Sequence, residues 1–167
     1  MKMTVIILIL LAAGTIALLA RKPFHIVTET VIPASTEAVW AALIEFDAYP
    51  QWNPFIVEVT GDARPQATLA VTIHAPDMSP MQFQPKVLKA VPNQELRWRG
   101  SFGISGIFDG EHYFKLFPQE DGSTRLVHGE TFTGLLAPVL FPWLKQSTRA
   151  GFTSMNQALS ATVQPQG

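Results

Sequence analysis

Residues 107–133 read IFDGEHYFKLFPQEDGSTRLVHGETFT, two alternating stretches around Glu120, Asp121 and Gly122. Alternation at period two marks a strand with one face packed and the other wet. In 107–117 the even positions are Phe108, Gly110, His112, Phe114 and Leu116, while the odd ones include Asp109, Glu111 and Lys115. In 123–133 the even positions are Thr124, Leu126, His128, Glu130 and Phe132. The even face of both strands is therefore the inner one. So short a turn joins antiparallel strands, because a parallel pair needs a crossover of about a dozen residues or more. A hairpin centred near Glu120 places Phe114 opposite Leu126, His112 opposite His128, and Glu130 opposite Gly110.

The pattern continues outward in both directions. Segment 95–102 turns Leu96, Trp98 and Phe102 inward, with Trp98 beside His112 and with Arg97 and Arg99 outward. Segments 24–32, 55–60, 67–75 and 81–91 also read as strands, separated by turn residues at Gly61-Asp62, Pro76-Asp77, Pro92-Asn93 and 103–106. Between the first two, Ser35 is a helix N-cap with Glu37 in the first turn, and Val39, Trp40, Leu43 and Phe46 share one helical face. Two prolines make 47–54 a turn or a short broken helix. After Gly134, Pro138 and Pro142 predict only short turns before about Phe141. From there to Val163, Leu144, Phe152, Met155, Leu159 and Val163 recur at helical spacing, with Lys145, Arg149 and Gln157 elsewhere on the wheel. The order is one strand, a helix, six strands and a long helix. It predicts an α+β domain over 23–167, a curved seven-stranded antiparallel sheet wrapped around the C-terminal helix.

Several local words strengthen that reading. They are Ile32-Pro33-Ala34-Ser35 followed by Val39-Trp40; 46–55, reading FDAYPQWNPF; Leu96-Arg97-Trp98; 108–112, reading FDGEH; and Gly122-Ser123-Thr124-Arg125 leading to His128-Gly129-Glu130. Together with the element order they resemble the START-like (SRPBCC) superfamily, the helix-grip group that includes Bet v 1, polyketide cyclases/dehydrases and CoxG-like proteins. The resemblance covers essentially all of 24–163. It implies an apolar ligand cavity between sheet and helix, and it names no ligand, because the fold hosts carriers, enzymes and adaptors alike.

The first residues differ from the rest. Thr4 to Ala20 is an apolar run of 17 residues, preceded by Lys2 and closed by Arg21-Lys22. As a helix it would reach about 25 Å, so residues 1–22 read as a single-pass membrane anchor. The competing reading is a cleaved secretory signal, for which Leu18-Leu19-Ala20 is a poor cleavage site. Arg21 and Lys22 against Lys2 favour a cytoplasmic domain by one charge. Removing those three from the twelve basic residues leaves nine against thirteen acidic ones, with no Lys/Arg cluster, which argues against nucleic acid as a partner. With no cysteine, disulfides and thiolate metal sites are excluded.

His112, His128 and Glu130 thus fall inside an otherwise apolar cavity, where unpaired burial would be costly. Three roles are open: a polar patch that fixes register, an anchor for a ligand's polar head, or acid–base groups of a catalytic site. Trp98, Phe108, Phe114, Leu126 and Phe132 are the expected apolar wall and Phe152 and Met155 its helical side, while the resemblance implies that Trp52 and Asn53 border its mouth. His25 and His74 read as solvated. A metal at His112, His128 and Glu130 is disfavoured by the lack of diagnostic spacing, and no motif implies a cofactor. Segment 135–143, reading LLAPVLFPW, is unusually apolar for a connector. It reads as buried core, a pocket gate or a surface that meets a bilayer. The leading expectation is a membrane-anchored carrier or sensor of a hydrophobic small molecule such as a lipid, a quinone or a polyketide-like aromatic. The alternatives are a cyclase/dehydrase-type enzyme and a ligand-free adaptor.

Overall fold

The computed structural model describes residues 22–76 and 78–164, together with Thr4, Val5 and Gly14. Apart from Thr4, Val5, Gly14 and Lys22, the expected anchor over 1–22 therefore lies outside the described residues. Among those described, no helix is long and apolar enough to cross a membrane.

Strand β1 (Phe24–Ile32) opens the domain. Ser35 Oγ accepts from the amide of Ala38 at 3.3 Å and caps α1 (Thr36–Ile44), which buries Val39, Trp40 and Leu43. The two prolines then give a 3-10 turn (Phe46–Ala48) and a single helical turn, α2 (Tyr49–Trp52). Strands β2 (Ile56–Thr60), β3 (Ala70–Ile73), β4 (Met81–Phe83), β5 (Lys86–Val91), β6 (Glu95–Ser101), β7 (Asp109–Pro118) and β8 (Thr124–Thr133) follow, then the long helix α3 (Ala137–Val163).

Among the described residues eight strands replace the expected seven, and they form two sheets, in the orders β1-β8-β7-β6-β5 and β2-β3-β4. The expected strand over 81–91 divides at Gln84-Pro85 because proline has no N–H to continue the ladder. Its first part pairs with β3 and its second with β6. The Pro85 carbonyl accepts from Leu69 N at 2.9 Å, and Thr68 bridges to Lys86, so the chain itself joins the two sheets.

The parity expectation holds. His112, Phe114, Leu116, Leu126, His128 and Phe132 are buried, while Arg97 and Arg99 face outward and pair with Glu95, Glu111 and Asp109. The β7–β8 register is two residues from the expected one. Phe114 faces His128, His112 faces Glu130, and Gly110 faces Phe132. A shift of two preserves which face each side chain takes. Phe102 departs from expectation: β6 ends at Ser101 and the ring is 60% exposed.

Helix α3 starts earlier than expected. Pro138 sits in its first turn, where an N–H has no intrahelical partner, and Pro142 lies within the helix. The helix buries Phe152, Met155, Asn156 and Leu159 against the larger sheet. Gly151 lets the helix approach the Phe55 ring ahead of β2, since a Cβ there would collide with it. His25 and His74 are exposed, as their positions implied.

Candidate functional site

The site is a run of polar side chains through the core, from the cavity to β1. Strand β7 supplies His112 and β8 supplies His128 and Glu130. His112 Nε2 lies 3.0 Å from His128 Nε2. His128 Nδ1 lies 2.7 Å from Asn156 Oδ1 on α3. Asn156 Nδ2 donates to Thr28 Oγ1 at 3.0 Å and Thr30 Oγ1 at 3.3 Å on β1. At the cavity end, Glu130 Oε2 stands 3.5 Å from His112 Nδ1.

Aromatic rings hold these groups in place. Trp98 stacks on His112 with centroids 5.0 Å apart and planes 3° from parallel. Phe152 stacks on His128 at 3.9 Å, and Phe114 packs against both imidazoles. This dry surrounding disfavours charge. Burial pushes His112 down to about 3, and burial together with the neighbouring His112 lowers His128, against the opposing hydrogen bond that His128 donates to Asn156. Burial pushes Glu130 up to about 8. Its residual accessibility, 15% of the side chain, is onto the chambers it lines.

Two adjoining chambers meet at Glu130, Phe108 and Phe132. The smaller, about 80 Å³, runs under β6 past Trp98, Gly100, Gly110 and His112. The wider, about 500 Å³, extends between the small sheet and α3, past Phe55, Met78, Leu140 and Leu144. That size suits a small apolar ligand. Around the wider chamber the surface is apolar: Phe102 and Trp143 line it, and Trp143 is 83% exposed. Ile104, Leu135, Leu136 and Val139 are exposed as well, and the amides of Leu135 and Leu136 bond to the carbonyls of Gly106 and Ile107.

A family model for polyketide cyclase/dehydrase and lipid transport proteins matches residues 23–162. The chain belongs to that family. Solved relatives agree on the fold. A START superfamily protein from Mycobacterium smegmatis is 23% identical, with 83% of this chain and 96% of that one covered and a TM-score of 0.67. The Zhui aromatase/cyclase from Streptomyces sp. R1128 is 13% identical over 85% of this chain and 94% of its own, with a TM-score of 0.68. The di-domain aromatase/cyclase StfQ of the steffimycin biosynthetic pathway is 14% identical over 83% of this chain, with a TM-score of 0.66. This chain spans 50% of StfQ's length. No curated protein matches the sequence. At these identities the solved relatives establish the helix-grip fold, and the family as a whole takes small hydrophobic ligands.

Of the residues singled out in the sequence, Trp98, Phe108, His112, Glu130 and Phe132 line the chambers. Phe114, Leu126, His128, Phe152 and Met155 are buried behind them. Trp52 and Asn53 line neither chamber. Trp52 packs on Tyr49, and Asn53 Oδ1 accepts from the amides of Phe55 and Ile56, which fixes the start of β2. Sequence reasoning missed Asn156, Thr28 and Thr30. Asn156 lies four residues after Phe152, so the helical period already placed it on the apolar stripe. Asp109 was also read as an outward residue. It is buried, holds Arg99 at 3.0 Å, and accepts from the Gly106 amide.

Proposed function

We propose that this protein binds one hydrophobic small molecule in the paired chambers and exchanges it with a membrane. The observation that carries the reading is a largely apolar cavity whose ionisable lining side chains, among the described residues, are Glu130 and His112. Apolar walls provide affinity, and the polar pair orients the ligand's head. The apolar rim supports exchange with a lipid phase, because Phe102 and Trp143 line the wider chamber and are exposed. The apolar run 4–20 supports it too. It enters the domain at Phe24, whose ring packs on Phe141 at 4.8 Å beside that rim. A membrane anchor there would hold the opening against the bilayer.

Native mass spectrometry of the full chain, followed by organic extraction, tests this reading. A stoichiometric apolar molecule is expected. A protein that emerges empty and also binds nothing from a lipid panel would sink it.

A second reading is favoured by one observation, the Glu130 carboxyl with a pKa pushed to about 8 at the cavity wall. That is the range a general acid–base needs near neutrality. On this reading the family's cyclase/dehydrase chemistry operates here, and Glu130→Gln abolishes turnover of an aromatic polyketide while sparing its binding.

A further inference from the structure

The positions of the protons along the buried polar run are dictated from its far end. Thr28 Oγ1 gives its only proton to the carbonyl of His128, at 3.2 Å. It can then only accept, so the Asn156 atom 3.0 Å away is the amide nitrogen. The Asn156 oxygen therefore faces His128 Nδ1, and that nitrogen carries the proton. A neutral imidazole protonated at Nδ1 has its lone pair on Nε2. His112 Nε2, 3.0 Å away, must donate to it. The lone pair of His112 is thus left on Nδ1, 3.5 Å from Glu130 Oε2. A carboxylate at that position would meet a lone pair with no cation nearby, whereas a carboxylic acid meets an acceptor. Burial acts in the same direction.

The chamber walls add no charge of their own. Among the described residues, no lysine or arginine lines either chamber, and the other polar side chains there, Ser101, Ser147 and Thr148, are uncharged. Glu130 Oε1 lies over Gly110, where no side chain covers it. Its lone pairs are free to accept from whatever fills the chamber.

Building on the cavity reading above, we propose that the ligand is an uncharged amphiphile that donates a hydroxyl hydrogen bond to Glu130, and that the site discriminates against carboxylate, phosphate and ammonium heads. An anion would enter a pocket with no countercharge, and an ammonium would require ionising Glu130 against the His112 lone pair. A hydroxyl leaves every partner neutral and satisfied.

The test uses the full chain in a nonionic amphipol, titrated at neutral pH with 1-octanol, octanoate and octylamine. Binding is followed by the ring signals of His112 and His128 in NMR. Octanol should bind about ten-fold more tightly than either charged probe, the equivalent of roughly 1.4 kcal/mol. Glu130→Ala should remove that preference, and partition into the amphipol cancels between the two proteins. Equal or tighter binding of octanoate or octylamine overturns the proposal while leaving the cavity reading intact. No response to any of the three overturns both. Independently of ligand, an infrared difference spectrum of wild type minus the isosteric Glu130→Gln should show a carboxylic-acid carbonyl band at neutral pH. A carboxylate band in its place overturns the proposal.

Discussion

Replacing Glu130 by Gln should flatten the alkaline side of the pH–stability curve. In the unfolded chain Glu130 titrates near its ordinary value of 4.5, and in the folded chain near 8. Between those values the native state holds a proton that the unfolded state lacks. The contribution is fully present below about pH 4.5 and is lost as pH rises through about 8, at about 1.4 kcal/mol per pH unit. The two histidines act in the opposite sense. His112 falls from 6.5 to about 3 on folding and His128 is lowered as well, so the unfolded chain gains protons first as pH drops below about 6.5. The optimum is therefore near pH 6.5. From there to pH 8 the wild type should lose about 2 kcal/mol. With a urea slope of about 1–3 kcal/mol/M, the unfolding midpoint should move by roughly 1 M. The assay is urea unfolding at a series of pH values, with the slope held common. The Glu130→Gln variant has no carboxyl proton to lose at this position, so its midpoint should stay level over the same range. Parallel curves for the two proteins above pH 6.5 would refute a protonated Glu130 in the folded state.

Two further changes probe the scaffold of the site. Asn156→Leu removes the acceptor for His128 Nδ1 and strands a buried donor, which should cost about 1–3 kcal/mol in the urea midpoint; an unchanged midpoint would contradict the proton order along the run. Asp109→Ala removes the acceptor of the Gly106 amide and the Arg99 partner at 3.0 Å, so amide exchange at Gly106 should accelerate while Phe114 and Leu116 stay protected.

The larger features were legible because they depend on period alone. Alternation in 107–133 assigned His112, His128 and Glu130 to the inner face, and a strand's period of two keeps that assignment under any even shift. The register was not legible. Glu120, Asp121 and Gly122 mark a turn, but composition does not fix its length. Asp121 Oδ1 accepts from the Ser123 amide at 3.0 Å, and Gln119 N bonds to the Ser123 carbonyl at 2.9 Å, which centres the hairpin one residue later than expected. A one-residue move of the centre changes each pairing by two. The division into two sheets rests on Pro85, a residue that the apolar pattern on either side obscured. Asn156 was on the right helical face, yet an asparagine on a helix is most often solvated, and only its partners on β1 and β8 reveal why it is inside.

Gly110 gives the pocket an adjustable floor. A methyl group there would meet the Glu130 carboxyl directly, displacing it without changing any polar residue, any charge or the strand's register. Head-group preference in this lineage is therefore open to drift at a position that carries no functional group. Two descendants with identical His112, His128, Glu130 and Asn156 need not share a ligand.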